Sequence, residues 1–191
     1  PLPDGDSFLS RLARTFAEAG ADPIVCVTGY DGDAVRSEAE RRGLRVRLAR
    51  NPQPSRGQLS SLLTGLDALS AETPPCVLVA PVDLPLVAVD TVRAVIQAWQ
   101  STGASIVRPA CAGRHGHPML VAAGLFAELR CADSALGARV VVRRHLDETV
   151  DVTVEDPGAF DDVDTPRDYE RLVVGPASLR TPRSSGRAGT E

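Results

Sequence analysis

The sequence contains no lysine, so all 21 of its basic residues are arginines. The 25 acidic residues outnumber them, and the formal net charge is −4 at pH 7. Proteins that bind nucleic acid usually carry a basic surface that neutralises the phosphates. The charge balance therefore argues against a nucleic-acid partner.

Long apolar runs and paired cysteines are also missing. A membrane helix needs about 20 apolar residues in a row, whereas the longest run here, Cys76 to Val82, has the length of a strand. The first residues lack the basic and apolar regions of a signal peptide. The four cysteines stand far apart without a CxxC pair, which disfavours a zinc or redox site. We therefore expect reduced thiols in a cytoplasmic protein with no membrane partner.

The apolar residues that are present follow an alternation of helices and short strands. Helical spacing predicts helices over 7–19, 33–42, 58–70, 89–100, 124–129, 136–145 and 165–173. Short apolar runs predict strands over 23–28, 44–49, 76–80, 104–107, 119–122 and 150–154. This order is typical of an α/β protein with a mainly parallel sheet, mixed in its second half.

Two expectations about organisation follow from the same pattern. Strand 76–80 is the most apolar, so we expect it in the centre of the sheet. Residues 1–174 should form one domain, because no linker divides them. Residues 175–191 are polar and contain almost no large apolar side chain, so we expect them to form a disordered tail.

Acidic residues follow two of the predicted strands, and ligands of open α/β sheets bind beyond the carboxyl ends of strands. Asp83 follows the most apolar strand, where it could bind Mg²⁺ or equally serve as an ordinary turn residue. Asp161, Asp162 and Asp164 precede the last helix. They could bind a cation, but a cluster that complements the helix dipole is the simpler interpretation of these residues alone.

Two other loops could bind anions. The loop 51–57 leads through Gly57 into a helix that begins near Ser60 and Ser61, where N–H groups and hydroxyls could attract phosphate. An ordinary helix cap is the alternative. In the loop 108–118, glycines allow a close backbone approach, and Arg114 and His117 could bind an anion or steer a leaving group. His115 and His117 lack a third ligand nearby, which disfavours a metal site.

Several catalytic motifs are absent from the sequence. There is no nucleophile elbow, no GxxxxGK[ST] loop and no GxGxxG fingerprint. The sequence therefore gives no support for a hydrolase with a nucleophile elbow, for a P-loop enzyme or for a dinucleotide-dependent dehydrogenase.

In this order, the four segments resemble those of the nucleotidyltransferases of molybdenum cofactor biosynthesis. These are MobA-like NTP transferases, and the molybdenum cofactor cytidylyltransferases are the most similar group. The resemblance covers residues 1–173, and its most specific part is GxxGHP followed about 45 residues later by DxDTPxD. The matching pieces are Asn51…Gly57-Gln-Leu-Ser-Ser-Leu-Leu-Thr-Gly65-Leu, Pro81-Val-Asp-Leu-Pro85, Arg108-Pro…Gly113-Arg-His-Gly-His-Pro118 and Asp162-Val-Asp-Thr-Pro-Arg-Asp168-Tyr.

The resemblance implies a three-layer α/β/α, Rossmann-like nucleotidyltransferase fold with a mostly parallel sheet. It also implies a reaction that depends on Mg²⁺ or Mn²⁺, in which a nucleotide passes from CTP or GTP to a molybdopterin-type acceptor and pyrophosphate is released. CMP is the nucleotide that the subfamily resemblance favours. Another small phosphate or a sugar phosphate as acceptor is an alternative. A second alternative is an inactive homologue that binds the cofactor or chaperones a molybdoenzyme.

The resemblance also assigns roles to residues. It implies that Asp83 binds the metal, together with Asp164 or Asp162, and that Asp83, Asp164 and His117 are catalytic. The residues implied near the nucleotide are Gly57, Ser60 and Ser61. Those implied near the acceptor are Gly113, Arg114, Gly116, His117 and Pro118.

One part of the family pattern is not found. The family opens with a strand in the middle of the sheet and a glycine-rich loop, GxSxRMGxxK, that holds the triphosphate. Pro1 falls just after the position of that lysine. We therefore expect the native gene product either to carry about 20–30 more N-terminal residues, the length of a strand and a loop, or to be inactive.

Overall fold

The computed structural model describes residues 1–174, so the predicted tail over 175–191 lies outside the described residues. The helices are α1 Phe8–Glu18, α2 Gly32–Arg41, α3 Gln58–Ala68, α4 Val89–Thr102, α5 Phe126–Cys131, α6 Arg139–Arg144 and α7 Pro166–Val174. The strands are β1 Val25–Thr28, β2 Arg47–Arg50, β3 Cys76–Val79, β4 Ile106–Cys111, β5 Arg114–His115, β6 Met119–Ala122 and β7 Thr149–Thr153. Each predicted helix and strand is present, and β5 is an addition.

The strands form two separate sheets in the described part of the chain. β1 and β2 pair in parallel. β3 pairs with β6, and β6 pairs with the first half of β4, both antiparallel. β5 pairs antiparallel with the second half of β4, and β7 runs parallel along the other edge of β4.

This topology confirms the α/β class and the mixed strand directions expected in the second half of the chain, and it corrects two details of the prediction. The sheet is mixed rather than mostly parallel, because β6 returns between β3 and β4 and runs antiparallel to both. β3 is not central among the described strands but lies at one end of its sheet. β1 and β3 therefore each have one edge that no described strand occupies.

Helices cover both faces of the sheets and supply the core. On one face, α3 packs against both sheets: Leu59 and Leu66 cluster with Val77 of β3, and Gly65 lies against Val27 of β1. On the other face, the α4 side chains Val92 and Val95 are fully buried. Val92 belongs to an apolar cluster that includes α1 residues. Val95 belongs to a second cluster, which includes inner side chains of β4 and β6.

Asp6 ties the N-terminal segment to two helices. Its carboxylate accepts hydrogen bonds from Ser10 Oγ at 3.1 Å and from Arg11 Nε at 3.2 Å. Arg14 Nη2 donates at 2.9 Å and Arg42 Nη1 at 3.2 Å. These contacts, with Arg14 contributing most, hold the pKa of Asp6 below its usual value despite burial. Asp6 is therefore an ionised anchor between the N-terminal segment, α1 and α2.

Two further findings concern cysteines and membranes. All four cysteines are free thiols. No helix within residues 1–174 combines the length and the apolar character needed to span a bilayer.

Candidate active site

Asp83 lies in the loop that leaves β3, beyond the carboxyl end of the strand. Its Oδ1 atom is buried and has no hydrogen-bond partner among the described residues. A buried carboxylate oxygen without a partner is costly, and such atoms are rare in folded proteins. The carbonyl oxygen of Asp83 accepts a hydrogen bond from the N–H of Val163 at 2.9 Å. This bond joins the Asp83 loop to the acidic segment that precedes α7.

Asp162 and Asp164 flank Val163 and bring two more carboxylates to Asp83. The pKa of Asp164 is raised, chiefly by the negative charge of Asp162, with smaller contributions from desolvation and from the charge of Asp83. The structure therefore brings together the three acids that the sequence predicted. Because like charges at close range repel each other, a cation between them would be stabilising.

The three acids do not by themselves form a complete metal centre. Among residues 1–174, no three His, Cys, Asp or Glu side chains are grouped so as to hold a metal ion. Mg²⁺ usually binds through one or two carboxylates and completes its shell with water and substrate phosphates. The unpartnered Asp83 Oδ1 and the crowded Asp164 fit that kind of site, in which phosphate oxygens supply the remaining ligands.

His117 lies next to this acidic group. Burial lowers its pKa, and the charge of Asp83 opposes this effect only in part, so the imidazole is neutral near pH 7. Its backbone N–H donates to the carbonyl oxygen of Ala159 at 2.9 Å. His117 can therefore donate or accept a hydrogen bond beside Asp83 without adding charge.

Two glycines allow the loops of the site to pack closely. A Cβ atom on Gly116 would lie 2.3 Å from the carbonyl oxygen of Ala159 and 2.8 Å from the Phe160 ring. A Cβ atom on Gly158 would lie 2.2 Å from the carbonyl oxygen of Leu86, in the loop that carries Asp83. The sequence singled out Gly116 but missed Gly158, because nothing in the local pattern shows that residues 86 and 158 touch.

The predicted nucleotide-side residues lie at the start of α3. Gly57 caps this helix with a positive φ of 84°, a conformation that favours glycine. Asn51 is buried, and its Nδ2 donates to Ser60 Oγ at 2.8 Å and to Ser61 Oγ at 3.0 Å. The two serines, which lie in the first turn of α3, therefore also stabilise the loop through Asn51.

An open cleft of about 430 Å³ adjoins this loop, beyond the carboxyl ends of β1 and β2. Its lining consists of Gly29, Tyr30, Arg50, Asn51, Pro52 and Pro54. Tyr30 is 77% exposed, which is unusual for a large aromatic side chain. Sequence reasoning missed Tyr30 and Arg50, although their positions at the carboxyl ends of β1 and β2 were an available signal.

The sequence model of the MobA-like NTP transferase domain matches residues 1–150. The chain belongs to this family. It is therefore a nucleotidyltransferase.

Solved structures show the same fold as this MobA-like transferase. Rv0371c from Mycobacterium tuberculosis, solved in complex with manganese, is 25% identical, with a TM-score of 0.71 over 90% of this chain and 88% of that one. A nucleotidyl transferase from Methanothermobacter is 22% identical, with a TM-score of 0.75 over 91% and 82% of the two chains. The molybdopterin-guanine dinucleotide biosynthesis protein A from Archaeoglobus fulgidus is 17% identical, with a TM-score of 0.61 over 89% and 85%. No curated protein sequence is significantly similar to the chain.

The predicted acceptor loop of this MobA-like transferase forms the β4–β5 hairpin and the entry to β6. Gly113 takes a positive φ of 79° at the hairpin turn, and Pro118 is fully buried before β6. Arg114 turns toward the acidic segment: its Nη2 donates to the Phe160 carbonyl at 2.7 Å and to Asp161 Oδ1 at 2.8 Å. Its guanidinium also stacks over the Phe160 ring. Arg114 therefore braces the acidic segment.

Proposed function

We propose that this chain is a Mg²⁺-dependent nucleotidyltransferase that transfers CMP from CTP to a molybdopterin-type acceptor and releases pyrophosphate. The observation that carries the metal dependence is the buried, unpartnered Asp83 Oδ1 beside two further carboxylates. The manganese complex of a 25% identical protein supports a divalent cation, with Mn²⁺ as a substitute. The acceptor rests on the resemblance carried by residues 108–118 and 162–169.

Each residue has a distinct task in this proposal. Asp83 and Asp164 would hold the cation, with Asp162 as the alternative second acid. When bound, Mg²⁺ neutralises charge on the phosphate groups. Neutral His117 offers a hydrogen bond at the acceptor side without repelling the cation.

The remaining residues position the two substrates. The N–H groups at the start of α3, with Gly57, Ser60 and Ser61, face the nucleotide phosphates. Gly113, Gly116 and Pro118 shape the acceptor loop that Arg114 braces. An acceptor phosphate oxygen then attacks the α-phosphorus, a new P–O bond forms, and the bond to pyrophosphate breaks. Positioning and charge neutralisation can carry such a transfer without a covalent protein intermediate.

The test uses Asp83→Asn, which keeps the shape of the side chain and removes its charge. The matched control is Asp90→Asn, because the Asp90 side chain is 94% exposed on α4. Mn²⁺ binding, followed by electron paramagnetic resonance, should weaken about tenfold or more in Asp83→Asn and stay unchanged in the control. Pyrophosphate release should require molybdopterin, should be faster with CTP than with GTP, and should fall with the loss of Mn²⁺.

Different outcomes contradict different parts of the proposal. Mn²⁺ binding or pyrophosphate release that Asp83→Asn leaves unchanged would refute the metal role of Asp83. Pyrophosphate release with a sugar phosphate but not with molybdopterin would show that the acceptor is a sugar phosphate. Faster pyrophosphate release with GTP than with CTP would show that GTP is the preferred nucleotide.

A further inference from the structure

A second polar cluster joins three strands outside the acidic site. Arg108 of β4 and Asp151 of β7 are register partners, and Arg108 Nε donates to Asp151 Oδ1 at 2.7 Å. His115 of β5 places its Nε2 3.1 Å from Asp151 Oδ2. A carboxylate only accepts hydrogen bonds, so Nε2 carries the proton and Nδ1 stays open. Asp151 thus fixes both an arginine and a histidine.

The two ends of the Arg108 guanidinium differ in their contacts. Its Nε edge is bound to Asp151, whereas Nη1 and Nη2 make no hydrogen bond to any residue in 1–174. Neither of these nitrogens is among the buried unpartnered atoms of that range, so both reach solvent, although the side chain is only 14% exposed. An arginine held on one edge and open on the other presents a rigid pair of donors, which suits an oxyanion.

The Arg108 side chain faces the same side of the sheet as Val79 of β3, the strand that leads to Asp83. The Ile106 side chain packs in the cluster that Val79 and Met119 join, and Arg108, two residues further along β4, faces the same side. Val79 pairs with Met119 of β6, and β6 is the neighbour of β4. Arg108 is therefore two strands away from β3, or about 10 Å. β3 and β4 run in the same direction, so Arg108 lies toward the edge of the sheet from which the Asp83 loop leaves, within reach of a small substrate.

The other basic groups of the predicted acceptor loop lie against the acidic site instead. Arg114 is bonded to Asp161 and to the Phe160 carbonyl. His117 is buried and neutral. Arg108 and the half-exposed His115 are thus the basic side chains of residues 108–118 that Asp151, and not the acidic segment, holds in place, and each still has nitrogen atoms without a hydrogen-bond partner within residues 1–174.

We propose that Arg108 and His115, held in place by Asp151, form a subsite for a second anionic group of the acceptor, an oxyanion for which inorganic phosphate can serve as a probe. This group is distinct from the phosphate that attacks, because the attacking phosphate must reach the Asp83 loop. The subsite deepens the proposed function, on which its role with the acceptor rests. Asp151 is a positioning residue, and Arg108 and His115 determine specificity.

The experiment follows phosphate binding through the histidine side chains. The chain has only three histidines, at positions 115, 117 and 145, so His115→Gln assigns the His115 signal in ¹H–¹³C NMR spectra. Inorganic phosphate is titrated into the full chain in the presence of EDTA and without nucleotide. We expect saturable movement of the His115 signal, while His145, which is bonded to Glu128 and Glu148 instead, stays unmoved.

Substitutions of Arg108 decide whether the effect is specific. Arg108→Gln should weaken the phosphate response about tenfold or more. Arg108→Lys keeps the positive charge but loses the paired guanidinium donors, so it should weaken the phosphate response less. It serves as the second variant if Arg108→Gln does not fold. The control is Arg93→Gln on α4, which should respond like wild type. Unchanged His117 and His145 signals report that each variant is folded.

Three results would overturn the subsite. One is a His115 signal that phosphate does not move, and another is an equal response in Arg108→Gln and wild type. The third is movement of His117 instead of His115, which places the anion at the acidic site. Because metal and nucleotide are absent, these results are independent of pyrophosphate release, so the subsite and the proposed function can fail separately.

Discussion

Gly158→Ala should disrupt the active site through a single added methyl group. The new Cβ would lie 2.2 Å from the carbonyl oxygen and 2.4 Å from the carbonyl carbon of Leu86, and 2.8 Å from the nitrogen of Val87. All three are backbone atoms, so no side-chain rotation can relieve the overlap. Ordinary contact begins near 3.4 Å, so the two loops must separate by roughly 1 Å.

The expected size of the effect follows from this displacement. Overpacking of this kind costs about 1–3 kcal/mol. For a chain of this length, each kcal/mol lowers the melting temperature by about 2–4 °C. We therefore expect a loss of about 2–12 °C. Because Asp83 is three residues before Leu86, the same shift should weaken Mn²⁺ binding about tenfold, since metal ligands tolerate only about 0.5 Å of displacement.

The measurement combines calorimetry with a Mn²⁺ titration. Gly124→Ala is the matched control, because its Cβ would meet nothing within 4 Å and its φ is not positive. This control should melt at or slightly above the wild-type temperature. If Gly158→Ala melted like the control and bound Mn²⁺ like wild type, the close packing of the two loops would be refuted.

Two further predictions concern charged groups outside the active site. Asp6→Asn should lower the free energy of unfolding by about 1–3 kcal/mol at pH 7 in urea denaturation. Since the pKa of Asp6 is lowered in the folded state, its contribution is present above its unfolded pKa of about 3.9 and is lost as the pH falls through the folded value. The difference from wild type should therefore shrink toward pH 3, and a constant difference would contradict this. The pKa of His145 is raised, first by Glu128 and then by Glu148, so its stabilising charge is present below about pH 6.5 and is lost as the pH rises through the folded value. His145→Gln should therefore lower the melting temperature at pH 6 and leave it nearly unchanged at pH 9, and equal losses at both pH values would contradict the assignment.

Elements with a long local pattern could be predicted well from the sequence. Apolar spacing predicted α4 over 89–100, and the helix is Val89–Thr102, ended by Gly103 with a φ of 64°. β6 occupies the predicted residues 119–122. β5 was missed because two residues carry no pattern. It forms because the hairpin turn brings the N–H of Gly116 to the carbonyl oxygen of Pro109 at 2.9 Å.

Properties that depend on distant pairs could not be predicted. Strand 76–80 is apolar because helices cover both of its faces, and apolarity does not reveal how many strands lie beside it. Arg108 and Asp151 are 43 residues apart and meet only through the parallel register of β4 and β7. Asp83 was predicted from its position after a strand and, like Asp164, from a family motif. The role of these acids, and the choice between Asp162 and Asp164 as second acid, stay predictions.

The open edges of β1 and β3 have a consequence for aggregation. Each is a short row of unpaired peptide groups on an uncharged strand without proline, Val-Cys-Val-Thr in β1 and Cys-Val-Leu-Val in β3. Edges of this composition are templates for pairing with another strand, which natural sheets usually prevent with charge, proline or a covering segment. At high concentration, two copies with their 76–79 edges exposed would pair through backbone hydrogen bonds, so the solubility of the chain depends on what covers these two edges.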